Sequence, residues 1–256
     1  MRLIIYGDFN CPYSYLASQR MDTLVSQGHQ VQWRAVEHDP RLSMTGTPSA
    51  AQREQWQREL DEVASLARPG EQAPTRMPEL ISNTCAATAA YAESITDGIA
   101  DRLRRDLFHT IWVSRKHLSS AYDVRPIIAA ITSPPVDVAS WLGLELPMPG
   151  LGSPDPAAST RLFGGTIAPN GAPLTTTGWR RIGAWRHDWL ALGPPVVPAA
   201  VDLDATDAAA HRGVEALTWL ASLLPEPTQQ PIIRPAPPTT PTVESPSVHA
   251  AIGASR

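Results

Sequence analysis

The chain has 256 residues, a length that suits one large domain or one domain with a substantial insertion. Apolar residues make up 43 %, enough for a sizeable core, and a net charge of −4 creates no bulk basic field for nucleic acid or an anionic membrane. Two cysteines, Cys11 and Cys85, cannot build a disulfide scaffold, and no uncharged apolar run reaches the about 18 residues of a membrane span.

Residues 2–7 read as a short buried strand, followed by a turn at Asp8 to Asn10. The apolar run before Asp8 is too short for a signal-peptide core, so a cytoplasmic location is expected. From Pro12 a helix is predicted to about Gln27, with Leu16, Met21, Leu24 and Val25 near helical spacing and Gly28 as its stop. Residues 30–36 alternate as a half-buried strand does. Strand, helix and strand within about 36 residues make a βαβ unit, whose strands should be parallel.

The middle of the chain is helical in pattern. Helices are predicted over 49–67, around Trp56, Leu60, Val63 and Leu66, and over 83–96, 99–117 and 123–132, with Ser82 as the cap of the second. Pro134 and Pro135 interrupt before a short helix near 136–143. Residues 145–175 are rich in Pro, Gly, Ser and Thr and read as a long connection, either functional or mobile. A helix over 175–191 would carry Trp179, Ile182, Trp185 and Trp189 on one stripe, ending at Gly193-Pro194-Pro195. A strand from Val196 to Leu203, interrupted by Pro198, and a helix over 213–224 complete the pattern. The proline-rich residues 225–256 are expected to be a disordered tail.

Chemistry concentrates at Cys11-Pro12-Tyr13-Ser14, where strand meets helix. Proline favours the first helical position, which makes Cys11 the N-cap. The unpaired N–H groups of Tyr13 and Ser14 then point at the sulfur, and the helix dipole adds roughly half a positive charge there. Ser14, one turn on, can donate its hydroxyl to the same sulfur. These effects favour thiolate, and helix starts can bring a cysteine from about 8.5 to roughly 3.5–7.5. The competing reading is a buried structural cysteine.

The segment Asp8-Phe9-Asn10-Cys11-Pro12-Tyr13-Ser14-Tyr15-Leu16-Ala17 resembles the active-site segment of the DsbA family. It is most similar to the branch containing 2-hydroxychromene-2-carboxylate isomerase, kappa-class glutathione transferase and FrnE-like oxidoreductases. Ser82-Asn83-Thr84, with Asp106-Leu107-Phe108-His109 and Trp112, is similar to the helical insertion of FrnE-like proteins. Val197-Pro198-Ala199-Ala200-Val201 is similar to the cis-proline segment. The resemblance runs from about residue 3 to 224. It implies an α/β thioredoxin-like fold, with a core from 1–38 and 176–224 and a helical insertion and long loop over 39–175.

The resemblance puts Cys11 at the nucleophile position, where the isomerase and the kappa transferase usually have serine. Ser14 falls where dithiol oxidoreductases keep a resolving cysteine, and Pro198 falls at the cis-proline. Cys11 and Ser14 are therefore the expected catalytic residues, and Pro12, Tyr13, Val197 and Pro198 the expected substrate-binding ones. A monothiol site needs a second thiol, such as glutathione, mycothiol or a protein thiol, to resolve its mixed disulfide. The expected partner is a small thiol or disulfide, with no tightly bound cofactor. Two alternatives stand beside thiol–disulfide exchange: a glutathione- or mycothiol-dependent isomerase or transferase, and a non-catalytic binding protein of the same fold.

Other signals read as structural. Cys85 among alanines suits packing. The tryptophan stripe with Arg180, Arg181 and Arg186 suits a core face with a wet edge rather than nucleic-acid stacking; the arginines could alternatively hold the carboxylates of a thiol cofactor. Seven scattered histidines show no metal-site spacing, and Gly164-Gly165-Thr166 lacks the lysine of a phosphate loop. Glu59, Asp61 and Glu62 read as a solvated helix face.

Overall fold

The computed structural model describes residues 1–132, 167–205 and 209–226. Its centre is β1 (Arg2–Gly7), whose run of Leu3, Ile4, Ile5 and Tyr6 is buried on both faces. Such a doubly buried strand needs neighbours on both edges. On one side lies β2 (Gln30–Ala35), parallel, with Arg2 opposite Gln30 and Gly7 opposite Ala35. On the other lies β5 (Ala199–Asp202), antiparallel, with Tyr6 opposite Ala199, and then β6 (Ala210–Arg212). The sheet order is β2-β1-β5-β6. The crossover between the parallel strands is α1 (Pro12–Ser26), and Gly28, at φ +88°, takes the left-handed conformation that ends it. This is the thioredoxin-like α/β arrangement expected from the sequence.

Between β2 and β5 the chain builds a helical layer. A two-stranded pair, β3 (Thr47–Pro48) and β4 (Leu80–Ile81), brackets a 3-10 turn at Ser49–Gln52 and α2 (Arg53–Leu66). Then follow α3 (Cys85–Ser94), α4 (Ala100–Trp112) and α5 (Ala121–Thr132). The small side chains of α3 leave it buried nearly all round, against α4, α5 and α6 (Thr176–Ala191). The last helix, α7 (Val214–Ser222), packs Ala216, Leu217 and Leu220 inward near α1. Phe9, Trp33, Tyr91 and Phe108 form the aromatic centre that joins sheet to helical layer. All these elements belong to one compact unit, Met1–Pro225.

Several expectations need correction. The strands β3, β4 and β6 were invisible as patterns because two- and three-residue ladders carry no periodicity. The N-cap of α3 is Thr84, not Ser82, whose hydroxyl instead accepts from the Leu118 N–H at 2.9 Å. The fourth predicted helix ends at Trp112 rather than 117, and the strand near the cis-proline spans only Ala199–Asp202. Val25 is 44 % exposed, and the tryptophan stripe divides: Trp185 and Trp189 are buried while Trp179 is 57 % exposed. The predicted helix at 136–143, most of the 145–175 connection, Gly164-Gly165-Thr166 and the tail from 227 lie outside the described residues.

Candidate active site

The site starts where β1 can go no further. A Cβ on Gly7 would lie 2.3 Å from the Trp33 ring and 3.1 Å from Ser14 Oγ, so only glycine lets these side chains pack this close to the strand end. The turn closes when the Cys11 N–H donates to the Asp8 carbonyl at 3.1 Å. Cys11 is the N-cap of α1, with φ −98° and ψ 121°, and Pro12 occupies the first helical turn. The Ser14 hydroxyl and N–H and the Tyr13 N–H lie close enough to the sulfur to favour its anion, although none closes a cap hydrogen bond to it. The donors read from the sequence are therefore present.

Their combined effect is overturned by burial. Cys11 is only 6 % exposed, and desolvation pushes its thiol up to about 12 against those three donors, with the Asp8 charge adding to the rise. The resting Cys11 is a protonated thiol rather than the thiolate anticipated. Its Sγ lies 3.7 Å from the Val197 carbonyl, which can accept the S–H.

That carbonyl belongs to the segment facing Cys11 across the site. The Val197–Pro198 peptide bond is cis, at the proline picked out in the sequence. The segment is clamped on both sides: the Trp189 indole donates to the Val196 carbonyl at 3.1 Å, and the Gly213 N–H donates to the Pro198 carbonyl at 2.7 Å. Cys11, Ser14, Val197 and Pro198 thus come together. Pro12 is buried as part of the helix start, and the Tyr13 hydroxyl turns away to donate to Glu62 of α2. Burial and the nearby Glu62, Glu59 and Cys11 raise the Tyr13 phenol, which stays protonated. Glu62 is exposed, as a solvated helix face requires, and is also the acceptor that holds Tyr13.

The residue the sequence reading left without a role is Asp8. It is 1 % exposed, and its carboxylate is fully engaged. Oδ1 accepts from the Thr84 hydroxyl at 2.7 Å and the Asn10 N–H at 3.2 Å; Oδ2 accepts from the His38 N–H at 2.9 Å and meets His38 Nδ1 at 2.7 Å. The Asp8 N–H donates to Ser14 Oγ at 3.2 Å, leaving the serine proton free for the sulfur. The side chain of His38 is 33 % exposed. Burial works against its charge, but the Asp8 hydrogen bond and charge, with Asp39 and Glu59, outweigh it and raise its pKa. Glu37 next to it is raised by burial and by Asp8, and Arg186 opposes this. The Asp8–Asn10 part was legible as an Asx turn; His38 and Thr84 join from 30 and 76 residues away, a pairing no local pattern carries.

Cys85 opens α3 as a free, half-buried thiol, its sulfur 4.0 Å from the Gly171 carbonyl. Burial and the Glu37 charge push it up to about 11. Arg181 donates through Nη1 to the Ala92 carbonyl and the Thr96 hydroxyl. Among the described residues, no three His, Cys, Asp or Glu side chains gather as a metal site, and no helix is long and apolar enough to cross a membrane.

The family model of the DSBA-like thioredoxin domain matches residues 2–131. The chain belongs to the DSBA-like thioredoxin family. Solved structures agree on the fold. A probable DsbA oxidoreductase from Streptomyces coelicolor superposes with a TM-score of 0.56 at 17 % identity, covering 88 % of each chain. A 2-hydroxychromene-2-carboxylate isomerase gives 0.52 at 18 %, covering 87 % of this chain and 94 % of its own. The cytosolic disulfide reductase DsbM from Pseudomonas aeruginosa, solved with GSH, gives 0.51 at 13 %, covering 87 % and 97 %. No curated protein matches the sequence. Proteins described as an oxidoreductase, a disulfide reductase and an isomerase thus share this fold.

Proposed function

We propose that this protein catalyses monothiol thiol–disulfide exchange in a reducing, cytoplasmic setting, with Cys11 as nucleophile and a small thiol such as glutathione or mycothiol as second substrate. The observation that carries this reading is the placement of Cys11 Sγ between three anion-favouring donors and the Val197 carbonyl. The carbonyl is an acceptor for the neutral S–H and so favours the protonated form. A substrate whose backbone N–H pairs with Val197 in strand fashion takes that acceptor away. Only donors then face the sulfur, which offsets more of the burial that opposes the anion and raises the share of the reactive thiolate. It attacks one sulfur of the substrate disulfide; the S–S bond breaks, Cys11 enters a mixed disulfide, and the departing sulfur takes up a proton. With Ser14 in place of a resolving cysteine, an external thiol attacks the mixed disulfide and returns Cys11 to the S–H form.

A second reading rests on the same protonated thiol. If Cys11 S–H and Ser14 O–H act only as donors to the sulfur of bound glutathione or mycothiol, the site would serve an isomerase or transferase. The test compares two reagents on the native chain, mapped by mass spectrometry. Glutathione disulfide, whose amide N–H groups can reach Val197, should modify Cys11 first, and reduced glutathione in excess should reverse it. Iodoacetamide, which has no such backbone, should modify Cys85 first. Glutathionylation confined to Cys85 would remove the exchange reading and leave the donor reading, in which Cys11→Ser retains activity.

A further inference from the structure

We infer that the face of the molecule formed by α2, the 71–79 segment and the 112–117 segment is a binding groove for an acidic polypeptide. Three clefts follow one another there. The first, about 630 Å³, runs from Tyr15 of α1 past Gln72, Thr75 and Trp112 and holds Arg76 and Arg115. The second, about 600 Å³, shares Arg115 with it and adds Lys116 and His117. The third, about 320 Å³, shares Arg76 with the first and adds Arg53 and Trp56.

Four permanent cations, Arg53, Arg76, Arg115 and Lys116, therefore line one continuous depression. All four are exposed, and Lys116 is the only lysine in the chain. Among the described residues none of them has a carboxylate within ion-pair distance. This sets them apart from Arg2, Arg20, Arg34, Arg41, Arg102 and Arg104, each of which has one. Three acids border the groove. Glu71 is paired with Arg20, so Glu79 and Asp123, which accepts from the Ser120 N–H and hydroxyl, set two negative charges against four positive ones. Arg115 also has φ +56°, an uncommon conformation for a residue other than glycine, and it stands where two clefts meet.

The shape selects the occupant. One pocket of 300–1,000 Å³ suits a small ligand, whereas a chain of clefts suits an extended backbone at roughly 3.3 Å per residue. A single-stranded nucleic acid would need exposed aromatic platforms for its bases. Tyr15 and Trp112 in the first cleft are 8 % and 4 % exposed and offer none, which leaves the half-buried Trp56 of the third cleft as a lone stacking surface among the described groove residues, too few for successive bases. Met77 and Leu80 between the cations can receive apolar side chains of a peptide. The chain as a whole carries a net charge of −4 and repels acidic partners, so this groove is where one can settle. The inference does not depend on thiol chemistry, and its probe contains no cysteine.

The test is fluorescence anisotropy of a fluorescein-labelled octaglutamate peptide with the full chain at low salt. Binding should weaken as salt rises. The double variant Arg76→Glu with Arg115→Glu should lose affinity at least about tenfold, because like charges then face one another. Arg115→Lys, which keeps the charge, should bind nearly as the parent does, and Arg180→Glu on α6 should be without effect. Both altered arginines are exposed, and an unchanged melting curve confirms that the fold is intact. The inference is overturned if octaglutamate does not bind, if Arg180→Glu is as damaging as the double variant, if an eight-nucleotide oligothymidine binds as tightly, or if citrate alone displaces the peptide at equal concentration.

Discussion

Two helices in this protein begin with a cysteine, and the two sulfurs live under different rules. Cys11 is the N-cap of α1, extended in backbone and therefore under the free N–H groups of the first turn. Cys85 is the first helical residue of α3, one position later in its helix, with Thr84 as N-cap; among the described residues no group donates to its sulfur. The helix-start argument separates them as expected in the number of donors. Yet both thiols are raised, the better-solvated sulfur without donors less than the buried sulfur with three. Burial outweighs the hydrogen bonds and dipole of a helix start when the sulfur is 6 % exposed. A cysteine at a helix terminus is thus poised only if something also lets solvent or substrate reach it.

The largest expected effect tests that ordering. At neutral pH a thiol raised to about 12 holds about 1,000-fold less thiolate than one at its usual value near 9, and Cys85, raised to about 11, about 100-fold less. Greater nucleophilicity of a more basic sulfur recovers about half of this on a logarithmic scale. Alkylation of Cys11 by iodoacetamide should therefore be about 40-fold slower in the native than in the unfolded chain, and slower than that of Cys85. Its rate should keep rising with pH through 10 without a plateau. A plateau below pH 9, or Cys11 outrunning Cys85, would reverse the comparison and restore the resting thiolate.

How much of this was legible depends on the range of the interactions. The βαβ unit, Pro12 at the start of α1, the donors around Cys11 and the cis bond before Pro198 follow from local pattern and motif. The protonation state of Cys11 does not, because desolvation is set by what packs over the sulfur. Asp8 shows the same limit. Its turn with Asn10 is local, but its role as the buried junction of β1, the Glu37–His38 segment and α3 requires partners brought together only by the fold. The Tyr13–Glu62 contact likewise joins helices 49 residues apart.

A middle-sized effect isolates the donors at Cys11. Ser14 is completely buried and its hydroxyl is placed by the Asp8 N–H. Removing it in Ser14→Ala deletes one hydrogen bond to the sulfur anion, which is about 1.5–3 kcal/mol for a charged acceptor. The thiol then rises by about one to two pH units, and the rate of exchange with glutathione disulfide should fall about three- to tenfold after the nucleophilicity correction. Cys85 should alkylate as before. A variant with unchanged Cys11 kinetics would mean that the serine packs against the sulfur without stabilising its anion. Equal slowing at both cysteines would point to a general loosening of the fold.

The smallest effect concerns the link between the two helix starts. Asp8 accepts from Thr84, the N-cap of α3, and holds Ser14 of α1, while His38 closes the far side of its carboxylate. The groups facing His38 are Asp8, Asp39 and Glu59, all acidic, and together they raise its pKa. A base raised in the folded state binds its proton more tightly there than in the unfolded chain. Its stabilisation is therefore complete below the unfolded value near 6.5 and is lost as pH climbs through the higher folded value. Because a third of the side chain meets solvent, the gain should stay below about 1 kcal/mol. In a unit of this size that is about 2–4 °C of melting temperature. Melting curves from pH 5.5 to 8.5 should show that decline, and His38→Asn should flatten it. A slope that persists in His38→Asn would move the proton to another group. A slope of the opposite sign would mean that burial, not Asp8, governs this histidine, as it governs both cysteines.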